Sequence, residues 1–367
     1  MTAPLPGSYN SYYITCLAIA RFGSFGRNVF MEIVPGITQL KIPIPNNPLG
    51  NLNAYLLKGK DGYIMVDVGW PTQKTLDILI AKLAEINLVP QDIKSIFITH
   101  AHPDHMGLAD KFRELYGAKL MLHQSEAPSA APDRWQVDDL IWKWLLLNGM
   151  PESDVDILKQ RQWGQHQFTW RVEPDILLKG DERIELESSY LDVLFTPGHS
   201  RGHLCLYDPK NKVLIAGDHM LPIITPSISL YPRSAANPLG SYLNSLRSIR
   251  NLDVDVVLPS HQNVYHNFNE RLDQLIRHHE VRASELIEAM GSASKTAYQI
   301  MLDMQWVGAS SEVVLGKGLE PIQQMSACAE ALAHLEFLRL EGIVKRTVTD
   351  DLALFICNEQ NPNLHFA

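Results

Sequence analysis

The chain has 367 residues, a net charge of −9 and a pI near 5.9, with 46% hydrophobic and 20% charged residues. This is the composition of an ordinary globular protein, long enough for one large domain and a smaller one. The acidic balance argues against a general nucleic-acid surface, and no apolar run reaches the length of a transmembrane helix. Four dispersed cysteines without a C-x-x-C pair argue against a disulfide framework and favour a cytoplasmic protein.

Strands and helices alternate in the first third of the chain. Residues 1–30 are expected to be a flexible N-terminal extension. Strands are then predicted at residues 37–44, 53–57 and 63–68. Apolar residues at helical spacing predict a helix over 75–85, and the apolar run 93–98 predicts a buried strand. This alternation indicates an α/β layered domain.

Three histidines and an aspartate follow the predicted strand 93–98. In an extended segment His100, His102 and Asp104 lie on one side, and the turn into the next helix redirects His105. Imidazole nitrogen and carboxylate oxygen are ligands of zinc, iron and related ions. The stretch therefore predicts a metal site on a strand-to-helix loop.

These four residues resemble the H-x-H-x-D-H motif of the metallo-beta-lactamase superfamily. The other motifs of that family have counterparts in the same order within residues 31–265, at Asp67, His199, Asp218 and His261. The resemblance implies an α/β fold of four layers, an αββα sandwich. It also implies two divalent metal ions, most often zinc, with iron or manganese as alternatives.

The resemblance further assigns a role to each of these residues. One ion is expected to be held by His100, His102 and His199, and the other by Asp104, His105 and His261. Asp218 would bridge the two ions, Asp104 would also act in catalysis, and Asp67 would orient a ligand histidine. A hydroxide between the ions would attack the substrate, so the implied reaction is hydrolysis.

Other residues near these motifs leave alternatives open. Ser260 and Gln262 flank His261 where the family often has glycine, so the turn there is expected to differ. His203 and His219 would either contact the substrate or support the ligands. No role is assigned to the remaining histidines considered, His123, His166, His266, His278 and His279.

The later ligands are each predicted to follow a strand. Strands are predicted at residues 119–123, 176–178, 183–186, 190–196, 204–207, 213–216 and 254–258, with a helix at 241–250. Residues 190–196 lead to His199, 213–216 to Asp218 and 254–258 to His261. Placement of ligands just beyond strands is typical of α/β active sites.

Residues 125–175 are expected to be a helical insertion rich in tryptophan. The tryptophans there are Trp135, Trp142, Trp144, Trp163 and Trp170. One interpretation is an apolar lid that holds the substrate over the metal site. The other is packing onto the domain, or a subunit interface that would make the protein a homodimer.

The C-terminal part is expected to be a second unit. A connecting helix is predicted over 266–290, and residues 291–367 resemble the winged-helix domain of beta-lactamase-like protein 2 relatives, with a hairpin at 343–348 and 352–357. A DNA-reading helix needs Lys and Arg, yet residues 321–342 carry three glutamates and one arginine. DNA is therefore not expected as a partner.

The histidine motif at residues 100–105 restricts the activities that the resemblance allows. His102 argues against flavodiiron redox chemistry, which has glutamate at that position in the resembled family. The favoured function is a glyoxalase II-like hydrolase of an ester, thioester or lactone, with a small-molecule acyl substrate and no membrane partner. The alternative is a metal-dependent endoribonuclease or phosphodiesterase acting on RNA. A non-catalytic metal-binding module is the third and weakest interpretation.

Overall fold

A computed structural model describes residues 31–45, 47–130, 139–160, 173–307, 313–358 and 364–366. The predicted extension 1–30 lies outside these ranges, as do Trp135, Trp163, Trp170 and His166. None of the helices in the described ranges is long and apolar enough to cross a membrane.

The first half of the chain forms a seven-stranded sheet in sequential order. Its strands are β1 (Met31–Val34), β2 (Ile37–Pro43), β3 (Asn51–Lys58), β4 (Tyr63–Val66), β5 (Ile93–Phe97), β6 (Lys119–His123) and β7 (Ile176–Leu178). The pairs from β1 to β4 are antiparallel, and those from β4 to β7 are parallel. The parallel half brings the carboxyl ends of its strands to one edge.

A second sheet of five strands packs on the first. It contains β8 (Arg183–Glu185), β9 (Tyr190–Phe195), β10 (Leu204–Asp208), β11 (Val213–Gly217) and β12 (Val256–Pro259), in the order β12-β11-β10-β9-β8. Every residue of β10 and β11 is buried, as expected for strands covered on both faces.

Helices cover the outer faces of both sheets. They are α1 (Gln73–Glu85), α2 (Pro103–Met106), α3 (Ala109–Tyr116), α4 (Asp139–Leu147), α5 (Glu152–Gln160), α6 (Pro238–Ile249) and α7 (Phe268–Met290). Leu79 of α1 and Phe112 of α3 pack on one sheet, and Leu246 of α6 packs on the other, while a third core fills the space between the sheets. The layers are therefore helix, sheet, sheet and helix, as predicted.

The helix predicted after the metal motif differs in detail. The structure has two short helices, and Asp104 and His105 already lie in α2 rather than in the loop. Pro103 begins α2 because its fixed φ suits the first helical position. The helix predicted at 241–250 likewise begins earlier, at Pro238, where the Asn237 side chain accepts the Gly240 N–H at 2.9 Å.

The C-terminal region contains β13 (Lys295–Thr296), α8 (Ala297–Asp303), β14 (Gln305–Val307), β15 (Val313–Leu315), α9 (Pro321–Leu340), β16 (Val344–Thr349) and β17 (Leu352–Cys357). The hairpin of β16 and β17 was predicted, whereas β13 and the β14–β15 hairpin were not. Helix α9 has buried residues from Gln324 to Leu338 on most of its circumference, so it is a core helix.

The described part of the insertion packs against this region. Leu145 of α4 and Leu158 of α5 belong to the same core as Leu332 of α9, and the Trp144 ring lies 5.4 Å from that of Tyr231. Helices α4 and α5 therefore follow the packing interpretation. The lid interpretation depends on tryptophans outside the described ranges and stays a prediction.

Candidate metal centre

All seven predicted ligands lie together at the carboxyl ends of the central strands. His100 and His102 follow β5, with Asp104 and His105 on α2 directly after them; His199, Asp218 and His261 follow β9, β11 and β12. The strands of both sheets end at this edge, so residues more than 150 positions apart meet there.

Three histidines form the first group. His102 Nδ1 lies 2.9 Å from His100 Nε2 and 3.1 Å from His199 Nε2. The three rings are nearly perpendicular to one another, with centroids 4.4 to 4.8 Å apart. Three imidazole nitrogens that converge in this way can all bind one cation.

Asp104, His105 and His261 form the second group. Asp104 Oδ2 lies 3.4 Å from His261 Nε2 and 3.7 Å from His105 Nε2. The three ligand atoms fall within 4.8 Å of one another, close enough for one ion to contact them all. The oxygen in this set makes it a harder site than the first.

Asp218 lies between the two groups. Its carboxylate oxygens lie 3.7 Å from His199 Nε2 in the first group and 3.4 Å from His261 Nε2 in the second. A further contact joins it to His105 Nε2 at 3.6 Å. One carboxylate in contact with both groups has the position of a bridging ligand.

Buried atoms without partners test whether cations fit these residues. His105 Nε2, His261 Nε2 and Asp218 Oδ1 are buried and have no hydrogen-bond partner among the described residues. Leaving such atoms unsatisfied costs about 1–3 kcal/mol each, so a cluster of them requires an explanation. A pair of cations supplies the missing partners, and the residues therefore fit a dinuclear metal centre.

The carboxylates also give the site a negative field. Burial lowers the pKa of His102 to about 3, so this ring is neutral and ready to bind metal. Burial also acts against protonation of His261, but Asp218 and Asp104 outweigh it and raise its pKa to about 10. The field that holds a proton on His261 will attract a metal cation in its place.

Hydrogen bonds outside the site orient the ligand rings. His105 Nδ1 donates to Asp67 Oδ2 at 2.8 Å, His261 Nδ1 to the Asn51 carbonyl at 2.9 Å, and His199 Nδ1 to the Ser227 carbonyl at 2.9 Å. Once such a ring is neutral, the proton on Nδ1 leaves Nε2 free to bind a metal. The tautomers suited to metal binding are thus fixed by the protein.

Asp67 is the central acceptor of this outer layer. Fully buried, it accepts the Thr99 N–H and the Thr99 hydroxyl, each at 2.9 Å, in addition to His105. Thr99 Oγ1 in turn lies 3.0 Å from His100 Nδ1. Asp67 has a φ of 57°, a strained conformation of the kind found at functional sites. Its carboxylate therefore contacts one ligand directly and another through Thr99.

The turn at His261 is held without glycine. Gln262 has a φ of 68°, the left-handed conformation that glycine adopts most readily. Asn53 Nδ2 donates to the Pro259 and Gln262 carbonyls at 2.9 and 3.0 Å, and the Gln262 side chain accepts the Ile223 N–H at 3.1 Å. These hydrogen bonds stabilise the turn at His261, which has Ser260 and Gln262 where the family often has glycine.

His203 and His219 are buried behind the ligands. His203 Nε2 accepts the Asp218 N–H at 3.1 Å, and its Nδ1 lies 2.9 Å from Thr196 Oγ1. The ring of His219 packs against Tyr242, with centroids 5.1 Å apart. Both histidines are fully buried, which favours the supporting interpretation over substrate contact.

Glu126 supports the site, although the sequence analysis did not identify it. It is 2% exposed, and its two carboxylate oxygens accept the Ala101 N–H at 3.0 Å and the Gly202 N–H at 2.5 Å. It thereby joins the loop of His100 and His102 to the loop that follows His199. No local motif marks this glutamate, because its partners are distant in sequence.

Replacing Glu126 with glutamine should lower kcat/KM about tenfold. The amide group can accept only one of the two N–H groups, and the other is left buried and unpaired at a cost of about 1–3 kcal/mol. Thermal unfolding and steady-state kinetics measure both effects. Glu187→Gln, which breaks an exposed pair with Lys58, should change neither by much. Equal behaviour of the two variants would contradict the role of Glu126.

Comparisons with known proteins agree with this geometry. The sequence profile described as "Metallo-beta-lactamase superfamily" matches residues 47–261. The chain is 24% identical to "Probable metallo-hydrolase YqjP" of Bacillus subtilis, over 72% of this chain and 83% of that protein. It is 25% identical to human "Acyl-coenzyme A thioesterase MBLAC2", over 58% of this chain and 74% of that protein.

Solved structures extend the similarity to the C-terminal region. A metallo-beta-lactamase family protein from Thermus thermophilus is 32% identical with a TM-score of 0.71, covering 89% of this chain and 99% of that one. A beta-lactamase domain protein from Burkholderia ambifaria is 26% identical with a TM-score of 0.75, covering 89% and 94%. From its profile, its relatives and its cluster of ligands, the chain belongs to the metallo-beta-lactamase superfamily and is a metal-dependent hydrolase.

Proposed function

We propose that the protein hydrolyses acyl thioesters, with related esters and lactones as further substrates, at a dinuclear metal centre. The observation that carries the proposal is the double cluster of ligands bridged by Asp218. The similarity to proteins named acyl-coenzyme A thioesterases supports a thioester over other acyl groups. A thioester substrate would make the reaction similar to that of glyoxalase II.

We assign the ligands as follows. One ion would be held by His100, His102 and His199, and the other by Asp104, His105 and His261. Asp218 would contact both, and Asp67 orients His105. Zinc is the proposed metal because imidazole and carboxylate suit it, and iron and manganese accept the same ligands.

The exposure of the proposed ligands indicates how the substrate reaches the metal centre. Two divalent cations would supply an attacking hydroxide at neutral pH and polarise the substrate carbonyl. His102, Asp104 and His199 are partly exposed, whereas His100, His105 and His261 are buried, so the substrate approaches from the exposed side.

Asp104 is suited to proton transfer on that exposed side. Burial acts to raise its pKa, but His105 and His261 outweigh burial and lower the pKa to about 2, so the carboxylate is ionised at neutral pH. It would accept the proton released when the bound water ionises to the attacking hydroxide, and would return that proton to the leaving thiolate. We therefore propose it as a catalytic residue as well as a ligand.

We also propose a winged-helix-like fold for the C-terminal region. Helices α8 and α9 precede the β16–β17 hairpin and β13 pairs with β17, which supports a winged-helix-like unit over 291–367. In that unit the enclosed α9 offers little surface for a DNA groove. The cytoplasmic location, the homodimer and the domain boundaries remain predictions.

A substrate panel tests the proposed function. The zinc-loaded protein should hydrolyse acyl thioesters with a kcat/KM at least about a hundredfold above its activity on single-stranded RNA. The same hydroxide would attack in both cases, but the net charge of −9 disfavours binding of a polyanionic RNA. RNA cleavage faster than that of every thioester, ester and lactone would favour the phosphodiesterase alternative. No turnover in the whole panel would favour the binding module.

A further inference from the structure

A cleft of about 300 Å³ lies between Ser227, in the loop 218–237, and the C-terminal region. Its walls on that side are mainly apolar and come from β14, α9 and the residues just before α9. They include Trp306, Leu319, Ile322 and Ala327, with Ser326 at the exposed side. We call this space the tail cleft.

The tail cleft is linked to the metal centre through Ser227. The loop 218–237 begins at the bridging ligand Asp218, and Ser227 of this loop lines the cleft. The Ser227 carbonyl accepts His199 Nδ1–H at 2.9 Å, so Ser227 contacts both the cleft and a proposed ligand of the first metal. His199 is also on the partly exposed side of the site, where the substrate enters.

The walls of the tail cleft are held in place before any ligand binds. Leu230 N–H donates to the Ala329 carbonyl at 3.0 Å and joins the loop 218–237 to α9. Trp306 Nε1–H donates to the Met301 carbonyl at 3.0 Å, and the Arg282 guanidinium lies 4.2 Å over its ring. A wall that is already ordered loses little entropy when a ligand binds.

We propose that the tail cleft binds the acyl chain of the substrate while the carbonyl lies at the metal centre. This assignment rests on the proposed function. It adds a binding site for the acyl chain, the part of the substrate that would set specificity. It places chain-length selection in the C-terminal region rather than in the tryptophan-rich insertion.

The charge and size of the tail cleft define the chain it accepts. Glu330 lines the cleft, and burial raises the pKa of its carboxyl group while Arg282, with Nε 3.9 Å away, opposes this. A second carboxylate in this apolar space would be disfavoured, so the chain should be uncharged. A volume of about 300 Å³ is at the low end for small-molecule sites, so the gain with chain length should end once the cleft is full.

Two serine variants form a matched test. Ser326 on α9 is exposed, lines the tail cleft and donates to the carbonyl four residues earlier at 3.3 Å. Ser284 on α7 is also exposed and makes the same kind of bond to Glu280 at 3.0 Å, but it does not line the cleft. Ser326→Phe fills the cleft, and Ser284→Phe adds the same ring on another helix.

The first readout is kcat/KM on thioesters from acetyl to decanoyl. In the unmodified protein each added methylene should raise kcat/KM by up to about fourfold until the cleft is full. Ser326→Phe should lose at least about tenfold on decanoyl thioester and keep its rate on acetyl thioester, with unchanged metal content. Ser284→Phe should behave as the unmodified protein on both. Ile322→Ala, which enlarges the cleft, should shift the optimum to longer chains.

The second readout is calorimetric binding of a decyl thioether, which cannot be hydrolysed. It should bind the unmodified protein and Ser284→Phe, and bind Ser326→Phe at least about tenfold more weakly. Thioester hydrolysis with equal chain-length profiles in all variants would overturn the tail cleft and leave the proposed function intact. If no acyl substrate is hydrolysed, the proposed function fails. Binding of the thioether then tests the tail cleft separately. Equal binding to all variants, or no binding to any of them, would overturn the tail cleft.

Discussion

Replacing Asp218 with alanine is expected to lower kcat/KM by roughly 10³-fold or more and to reduce the bound metal. Asp218 is the carboxylate that contacts both groups of ligands, at 3.4 to 3.7 Å from three histidines. Without it, the negative field that offsets the charge of two cations is halved, since Asp104 is the other carboxylate among the seven ligands. Elemental analysis and steady-state kinetics on the same preparation measure the two losses together.

Asp192→Ala is the matched control for this variant. Asp192 lies on β9 of the same sheet and pairs with Arg183 at the surface, remote from the ligands. It should keep full metal content and activity, since exposed ion pairs contribute about 0–1 kcal/mol. An Asp218→Ala protein with the metal content of the control would mean that Asp218 is not a bridging ligand.

The second large effect is expected for Asp67→Asn, which should lower kcat/KM and zinc affinity about a hundredfold. Asparagine keeps the shape but replaces an acceptor oxygen by an NH₂ group, although Thr99 and His105 both donate to this side chain. His105 would then favour the tautomer with hydrogen on Nε2, the atom that must bind the metal.

A competition titration with a zinc chelator measures the affinity in this variant. Because Asp67 is fully buried, circular dichroism of the zinc-loaded protein must first show that the fold is retained. Glu187→Gln serves again as the surface control and should match the unmodified protein. Unchanged zinc affinity in folded Asp67→Asn would contradict the orienting role of this carboxylate.

The sequence predicted the ligands because each belongs to a short local pattern. The strand before His100 and the strands before Asp218 and His261 are apolar runs, and a ligand that follows an apolar run lies at a sheet edge. The alternation of strands and helices predicted an α/β layered domain, and the family resemblance implied the αββα sandwich; the sheets agree with both. The residues alone indicated the metal site at His100–His105, and the resemblance supplied the later ligands.

The contacts that hold the ligands could not be predicted in this way. Glu126 joins two loops by accepting backbone N–H groups, and Asn51 and Ser227 accept hydrogen bonds with their backbone carbonyls. Contacts with the backbone cannot be predicted from the pattern of side chains. Helix α9 corresponds to the candidate DNA-reading helix at residues 321–342, but its enclosure depends on α5, α7 and α8, which the sequence does not reveal. Tertiary packing decides such features, and a single sequence does not encode it locally.

The most direct test of the central claim is a calorimetric titration of zinc into the metal-free protein near pH 7.5. The dinuclear centre predicts about two equivalents bound per chain, with hydrolytic activity returning in step. Burial acts against protonation of His105, but Asp104, Asp218 and Asp67 outweigh it and raise its pKa, and the pKa of His261 is raised to about 10. Zinc must therefore displace protons from these rings, and formation of the hydroxide releases a further proton, so binding should release protons and affinity should fall as pH is lowered.

Repeating the titration in buffers of different ionisation enthalpy counts the released protons. Two equivalents with proton release is the result that the assigned ligands predict. Binding of one equivalent or fewer, or full activity of the folded protein in excess chelator, would contradict the dinuclear metal centre.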